Sequence, residues 1–227
     1  MKIEEIVDKN IGKFEMVGED AFITPFFNRE YCNRLIDLFE DYGFKMDKTG
    51  NCDILMHKIK GGKEHCKSYL KLMKKYIEPK IVDVFLPVVK STHADTGYRG
   101  LWSGYPVPFC KKWSADGGHT NLRMHNDNSL LTMVIFLADD YEGCETTFPR
   151  QNWDASYLKG KAGHMVVFPG GLTHPHYGQK LKSGTKYSLV GRSSILKPRN
   201  GEFDNIENLF SDSKWQVDDV NLFCDGV

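Results

Sequence analysis

The 227-residue sequence has no excess charge of either sign: Lys and Arg together number 30, and so do Asp and Glu. That balance excludes a whole-molecule field drawing the chain to nucleic acid or an anionic lipid surface. No apolar run approaches the roughly 18 residues of a membrane helix, nothing repeats, and no low-complexity linker divides the chain. Cysteine is sparse and dispersed, at positions 32, 52, 66, 110, 144 and 224, with no CxxC pair. This excludes the common zinc and dithiol motifs and argues against a disulfide framework. Such thiols fit a reducing compartment. The first residues, MKIEEIVDKN, carry no apolar stretch after the first Lys, so the expectation is a cytoplasmic chain without a signal peptide.

What is present suits one domain with a sizeable core. Asn28 is placed to cap a helix over Arg29–Tyr42, whose apolar residues Tyr31, Leu35, Leu38, Phe39 and Tyr42 recur at helical spacing, and Gly43 is placed to end it. A second helix is expected from about Glu64 to Ile77, stopping near Pro79, with a further short one between Ile81 and Val89. The lysines of 58–80 alternate with Tyr69, Leu70, Leu72 and Met73, the wet face of that helix rather than a phosphate-binding patch. Beyond about residue 95 the texture changes to short apolar runs separated by turn residues: Leu130 to Leu137, His164 to Phe168 and Tyr187 to Ile195. The expectation is a single α+β domain over 1–227. It has helical support over about 1–95, a strand-rich sandwich or barrel over about 96–196, and a polar tail over 197–227.

Two imidazoles and one carboxylate on one face of an octahedral ion suit Fe(II), leaving positions for O2 and a chelating co-substrate. A His-x-Asp pair at a strand end supplies two of the three, because residues i and i+2 point the same way. Two such pairs exist. His125-Asn126-Asp127 is followed at once by an apolar strand that would anchor it; His93-Ala94-Asp95 precedes a Gly-rich stretch and reads as a surface loop. The third ligand has two candidates, His174 and His176. Lys186 lies ten residues after His176 at the start of the next strand, placed to hold the far carboxylate of 2-oxoglutarate, whereas ten beyond His174 is Gly184. That spacing favours His176, with His174 beside the metal shell or on the substrate side.

At these residues the chain resembles the catalytic domain of the collagen lysyl hydroxylases and, more broadly, the prolyl 4-hydroxylase-like branch of the 2-oxoglutarate oxygenases. Leu122-Arg123-Met124-His125-Asn126-Asp127 is similar to that family's L-R-P-H-H-D. Phe168-Pro169-Gly170-Gly171-Leu172-Thr173-His174-Pro175-His176-Tyr177-Gly178 is similar to its H-P-G-R-L-T-H-x-H-E-G, and Gly184-Thr185-Lys186-Tyr187 to its G-T-R-Y. The similarity spans residues 110 to 195. It implies a double-stranded β-helix, or jelly roll, with N-terminal supporting helices. It further implies iron on His125, Asp127 and His176, 2-oxoglutarate on Lys186, O2 as the oxidant and ascorbate as an optional reductant. The implied reaction is hydroxylation of a peptidyl Lys or Pro in a collagen-like substrate; the lack of an apolar leader adds the expectation of a microbial or viral chain. Lys186 stands where the lysyl hydroxylases have Arg, as in the prolyl 4-hydroxylases, which gives a point contact in place of a fork. Gly171 and Tyr177 replace a family Arg and Glu. Asp127 keeps the carboxylate that related halogenases lack.

Other residues are weighed on the same strands. Arg123 and Asn126 are candidates to touch substrate, and Arg192, six beyond Lys186, is a weaker candidate for the co-substrate carboxylate. Trp102, Tyr105 and Trp113 line either a substrate entrance or the core. Glu142-Gly143-Cys144-Glu145 reads as a turn, and His119 and His164 as structural histidines. Competing functions are a hydroxylase of a free amino acid, small metabolite or nucleotide, and a cupin-like metal-binding protein without oxygenase activity. Nucleic-acid and membrane partners are not expected, and no pattern fixes the oligomeric state.

Overall fold

The computed structural model describes residues 2–48, 50–81, 83–85, 107–117, 119–127, 129, 131–153 and 158–193. The strands in chain order are β1 (Glu15–Gly18), β2 (Ala21–Pro25), β3 (Asp53–Leu55), β4 (Phe109–Ser114), β5 (Leu122–His125) and β6 (Leu131–Phe136), then β7 (Glu142–Gly143), β8 (Thr146–Thr147), β9 (His164–Pro169), β10 (His176–Gly178), β11 (Leu181–Ser183) and β12 (Thr185–Ser193). Helices α1 (Arg29–Tyr42) and α2 (Gly62–Leu72) precede β4.

Helix α1 forms where the sequence places it. The Asn28 side chain accepts the Tyr31 N–H at 2.8 Å, satisfying one of the donors a helix start leaves open. At the other end Gly43 takes φ 90°, and its N–H returns to the Phe39 carbonyl at 3.1 Å. The second helical stretch runs on through Pro79 instead of stopping there. A π-helical turn over Met73–Ile77 widens the backbone, with the Glu78 N–H bonded to the Met73 carbonyl, and helical backbone continues over 78–81 and 83–85. Proline lacks an N–H and crowds the preceding turn of an α-helix; the wider turn relieves both demands. Among the described residues, no helix is long and apolar enough to cross a membrane.

The strands form three antiparallel sheets: a large one in the order β1-β2-β9-β6-β12-β4-β3, and smaller ones in the orders β5-β10-β8 and β11-β7. Both faces of the large sheet are buried. Leu131, Met133 and Ile135 of β6, with Met165 and Val167 of β9, pack with Tyr31, Leu35 and Phe39 of α1 and Tyr69 and Leu72 of α2. The alternate residues Phe136, Val166 and Phe168 face a second cluster with Phe148 and Leu158. Burial on both sides explains why β6 reads as a nearly unbroken apolar run. Each fully buried Leu or Phe contributes about 1.5–3 kcal/mol relative to exposure.

The sheet reaches further toward the N-terminus than the helical layer expected over 1–95, because β1, β2 and β3 belong to it. In β2 four of five residues are buried whichever way they point, so the strand shows no alternation for a sequence reading to detect. His93, Asp95, Trp102, Tyr105 and the tail 197–227 lie outside the described residues.

Candidate metal centre

Strand β5 pairs with β10 so that His125 stands directly opposite His176. The two rings therefore project on the same side, with centroids 4.3 Å apart. Asp127, two residues past His125, turns its carboxylate between them: Oδ1 lies 3.7 Å from His125 Nε2 and Oδ2 lies 3.6 Å from His176 Nε2. One ligand atom from each of the three lies within 4.8 Å of the others, and among the described residues this is the only such His/Cys/Asp/Glu group. A single ion with bonds of about 2.0–2.2 Å can bridge those gaps after small side-chain rotations.

The two imidazoles are aimed in the same way. His125 Nδ1 sits 2.8 Å from the Arg123 carbonyl and His176 Nδ1 sits 3.0 Å from the His174 carbonyl. A carbonyl only accepts, so each Nδ1 carries the proton and each Nε2 presents a lone pair to the centre. Burial lowers the His176 pKa, favouring the neutral ring a metal requires, although Asp127 opposes the shift. Phe148 and Phe168 wall His176, with ring centroids at 5.1 and 5.2 Å. The His176 side chain is 6% exposed and that of His125 is 30% exposed, so the centre opens on the β5 side.

Asp127 is buried, and burial by itself would raise its pKa. Arg192, His176, His125 and a hydrogen bond from Thr132 together hold it below the ordinary carboxylate value. Thr132 Oγ1 donates to Oδ2 at 2.7 Å, and Arg192 Nη2 reaches Oδ1 at 2.5 Å. Arg192 is thus committed to the Asp127 carboxylate rather than to the co-substrate position considered from the sequence.

Lys186 is buried on β12 opposite Trp113 of β4. Its ammonium donates to the Cys144 carbonyl at 2.6 Å and lies 5.0 Å from the Trp113 ring centre, with Phe136 and Tyr141 rings at 5.8 Å. Burial lowers its pKa, against the raising effect of Cys144 and Glu145. Among the described residues no carboxylate is paired with it. Two residues along the same face, Ser188 Oγ is buried without a partner among the described residues, as is Trp113 Nε1. An ammonium and two unanswered hydrogen-bonding groups in an aromatic recess match the needs of one carboxylate.

Of the remaining candidates, Arg123 and Asn126 are exposed at the open side. His174 stays out of the converging group: its Nε2 lies 3.0 Å from Asp20 Oδ2 and its Nδ1 lies 2.8 Å from Thr173 Oγ1, under the Trp153 ring. It ties the turn before β10 to the β1–β2 hairpin. His119 bonds the Gly50 carbonyl. The segment 142–145 is more than a turn, since Cys144 adopts φ 58° and turns its carbonyl toward Lys186. Sequence reasoning missed Thr132, Ser129, Cys144 and Ser188. Only Ser188 left a trace, sharing strand parity with Lys186.

No protein-family model matches the chain. It is 29% identical over 187 residues to human procollagen-lysine,2-oxoglutarate 5-dioxygenase 2, a match covering 75% of this chain and 23% of that protein. It is 25% identical over 214 residues to the multifunctional procollagen lysine hydroxylase and glycosyltransferase of Caenorhabditis elegans, covering 87% of this chain and 26% of the other. The chain thus spans about a quarter of the length of these curated relatives. Its fold matches the viral collagen prolyl hydroxylase of Paramecium bursaria Chlorella virus-1, solved as a 2OG complex, with TM-score 0.51, 15% identity, and 79% and 98% of the two chains covered. By sequence the chain is similar to part of the procollagen-lysine 2-oxoglutarate dioxygenases, and its fold is similar to that of a viral collagen prolyl hydroxylase.

Proposed function

We propose that this chain is an Fe(II)- and 2-oxoglutarate-dependent hydroxylase built on a jelly roll, acting on a peptidyl Lys or Pro of a collagen-like substrate. The observation that carries the reading is the convergence of His125, Asp127 and His176 on one point while a buried Lys186, with no carboxylate partner among the described residues, lies on the strand β12 from which Arg192 reaches Asp127. Two Nε2 lone pairs and a carboxylate are the donor set of non-haem Fe(II) oxygenases. Iron with 2-oxoglutarate and O2 supplies the oxidising power for an unactivated C–H bond, releasing succinate and CO2.

The chain's own residues do the rest. His125, Asp127 and His176 would hold the metal, and the carbonyls of Arg123 and His174 keep both imidazoles in the ligating tautomer. Lys186, with Ser188 and Trp113 beside it, would bind the distal carboxylate of the co-substrate. Phe136, Phe148 and Phe168 keep water from that side. The five described cysteines are all free thiols, which supports a reducing, cytoplasmic setting.

The test is succinate release with Fe(II) and 2-oxoglutarate across collagen-like peptides, free Lys and Pro, and nucleosides. Peptide-dependent turnover with hydroxylated product is the expected result. Turnover only with a free amino acid or nucleoside would move the substrate class. A metal bound without any effect of 2-oxoglutarate on its visible spectrum would favour the cupin-like alternative, in which a buried ammonium at Lys186 has no role.

A further inference from the structure

The carboxylate of Asp127 lies beyond the end of β5, yet two side chains of the large sheet hold it. Thr132 Oγ1 bonds Oδ2 at 2.7 Å and Arg192 Nη2 bonds Oδ1 at 2.5 Å. These two residues are direct partners in the β6–β12 ladder, so they form one cross-strand brace. Ser129 backs Thr132 at 2.9 Å, and the Arg192 guanidinium lies 5.5 Å from the Phe109 ring centre. Among the described residues Arg192 makes no other ion pair, and its Nε is buried without a partner.

We propose that Arg192 is a positioning residue for the metal centre, acting with Thr132 to fix the rotation of the Asp127 carboxylate. The proposal rests on reading His125, Asp127 and His176 as metal ligands. A carboxylate offers about four lone-pair sites, and the brace occupies one on each oxygen. The other lone pairs are left for an ion, while the carboxylate is kept from turning away or swinging into two-oxygen chelation. The brace also sets charge. Asp127 and Arg192 carry opposite charges, so the pair itself adds no net charge to the cluster. A divalent ion held there keeps its full positive charge toward an anionic chelating co-substrate. A carboxylate without the guanidinium would halve that charge.

The experiment titrates the full chain anaerobically with Mn(II) and with Co(II), by calorimetry and visible absorption, in wild type, R192Q, R192K and T132V. Removing a group that orients a metal ligand lowers affinity by about 10–100-fold, and that is the expected loss for R192Q, together with altered Co(II) d–d bands. R192K fails to restore the bands, because a flexible ammonium does not hold the fixed orientation of a planar guanidinium set beside the Phe109 ring. T132V, which removes the other half of the brace, weakens binding in the same direction and carries the test if R192Q does not fold. If wild type binds neither ion, the metal-centre reading itself fails. If wild type binds and R192Q binds as tightly or more tightly with an unchanged Co(II) spectrum, the brace alone is overturned and the guanidinium is only a competitor for the carboxylate.

Discussion

Replacing Lys186 with Met removes a buried ammonium while keeping most of its aliphatic stem. Two opposite outcomes follow from the same burial. Losing one partner of a buried, hydrogen-bonded charge pair typically costs 2–5 kcal/mol of binding; a loss of about 3 kcal/mol weakens 2-oxoglutarate by roughly 140-fold at 1.4 kcal/mol per tenfold. Stability moves the other way. The ammonium's desolvation penalty is several kcal/mol. It is opposed by a charged hydrogen bond to the Cys144 carbonyl worth about 1.5–3 kcal/mol and by ring contacts worth about 0.5–2 kcal/mol. Lys186→Met therefore comes out between neutral and about 2 kcal/mol more stable, and each kcal/mol is about 2–4 °C in Tm at this size. The sign of the pH dependence follows. The folded pKa of Lys186 is lowered below 10.5 by burial, so its cost to stability is fully present below the folded pKa and relieved as pH climbs toward 10.5. The advantage of the variant should thus shrink in alkaline buffer. Anaerobic calorimetry with 2-oxoglutarate and thermal unfolding at pH 7 and pH 10 measure both effects. A variant destabilised by more than about 2 kcal/mol that still binds 2-oxoglutarate like wild type would identify Lys186 as a structural lysine and refute the reasoning.

Thr132→Val removes one of the two hydrogen bonds on Asp127, about 1.5–3 kcal/mol in the metal-free protein. Because the folded pKa of Asp127 lies below 3.8, the stability it contributes is present above that value and lost as pH falls through the folded pKa. The gap between wild type and variant in urea midpoint should be widest near neutrality and narrow in acid. Gly170→Ala places a methyl group against Ser129 Oγ and within 2.9 Å of Thr132 Oγ1; the expected cost is about 1–3 kcal/mol, with a parallel loss of Mn(II) affinity that calorimetry would show. Asn28→Ala removes the α1 cap and its 3.0 Å bond to the Glu5 carbonyl, lowering stability by about 1 kcal/mol without altering metal binding. Mn(II) at about 100 times its Kd should stabilise the chain by about 2.7 kcal/mol, reversed by a chelator; an unchanged Tm would count against the metal centre.

The parts of the site legible in the sequence are those set by short-range geometry. His125 and Asp127 follow from strand parity, and the choice of His176 over His174 follows from its spacing to Lys186. The structure seats His176 opposite His125 and leaves His174 against Asp20. Helix α1 was legible because Asn28 and Gly43 mark its ends with side-chain and backbone chemistry. What escaped depends on which strand lies beside which. Thr132 and Arg192 are sixty residues apart and meet only because β6 and β12 are neighbours in one register. The Cys144 carbonyl under Lys186 is a backbone group, and no side-chain pattern reports where a carbonyl points. Pro79 misled for a related reason: a proline stops an α-helix, but a π-turn placed just before it removes the conflict.

The two nitrogens of the centre and its oxygens are secured by different kinds of structure. Each imidazole is latched to a backbone carbonyl two positions upstream, and a main-chain group cannot be lost to a point substitution. The carboxylate is latched to a threonine and an arginine, either of which a single codon change can erase. Drift across generations should therefore leave the histidine corner untouched and show itself first at the acidic corner, the one part of the centre whose geometry is open to revision.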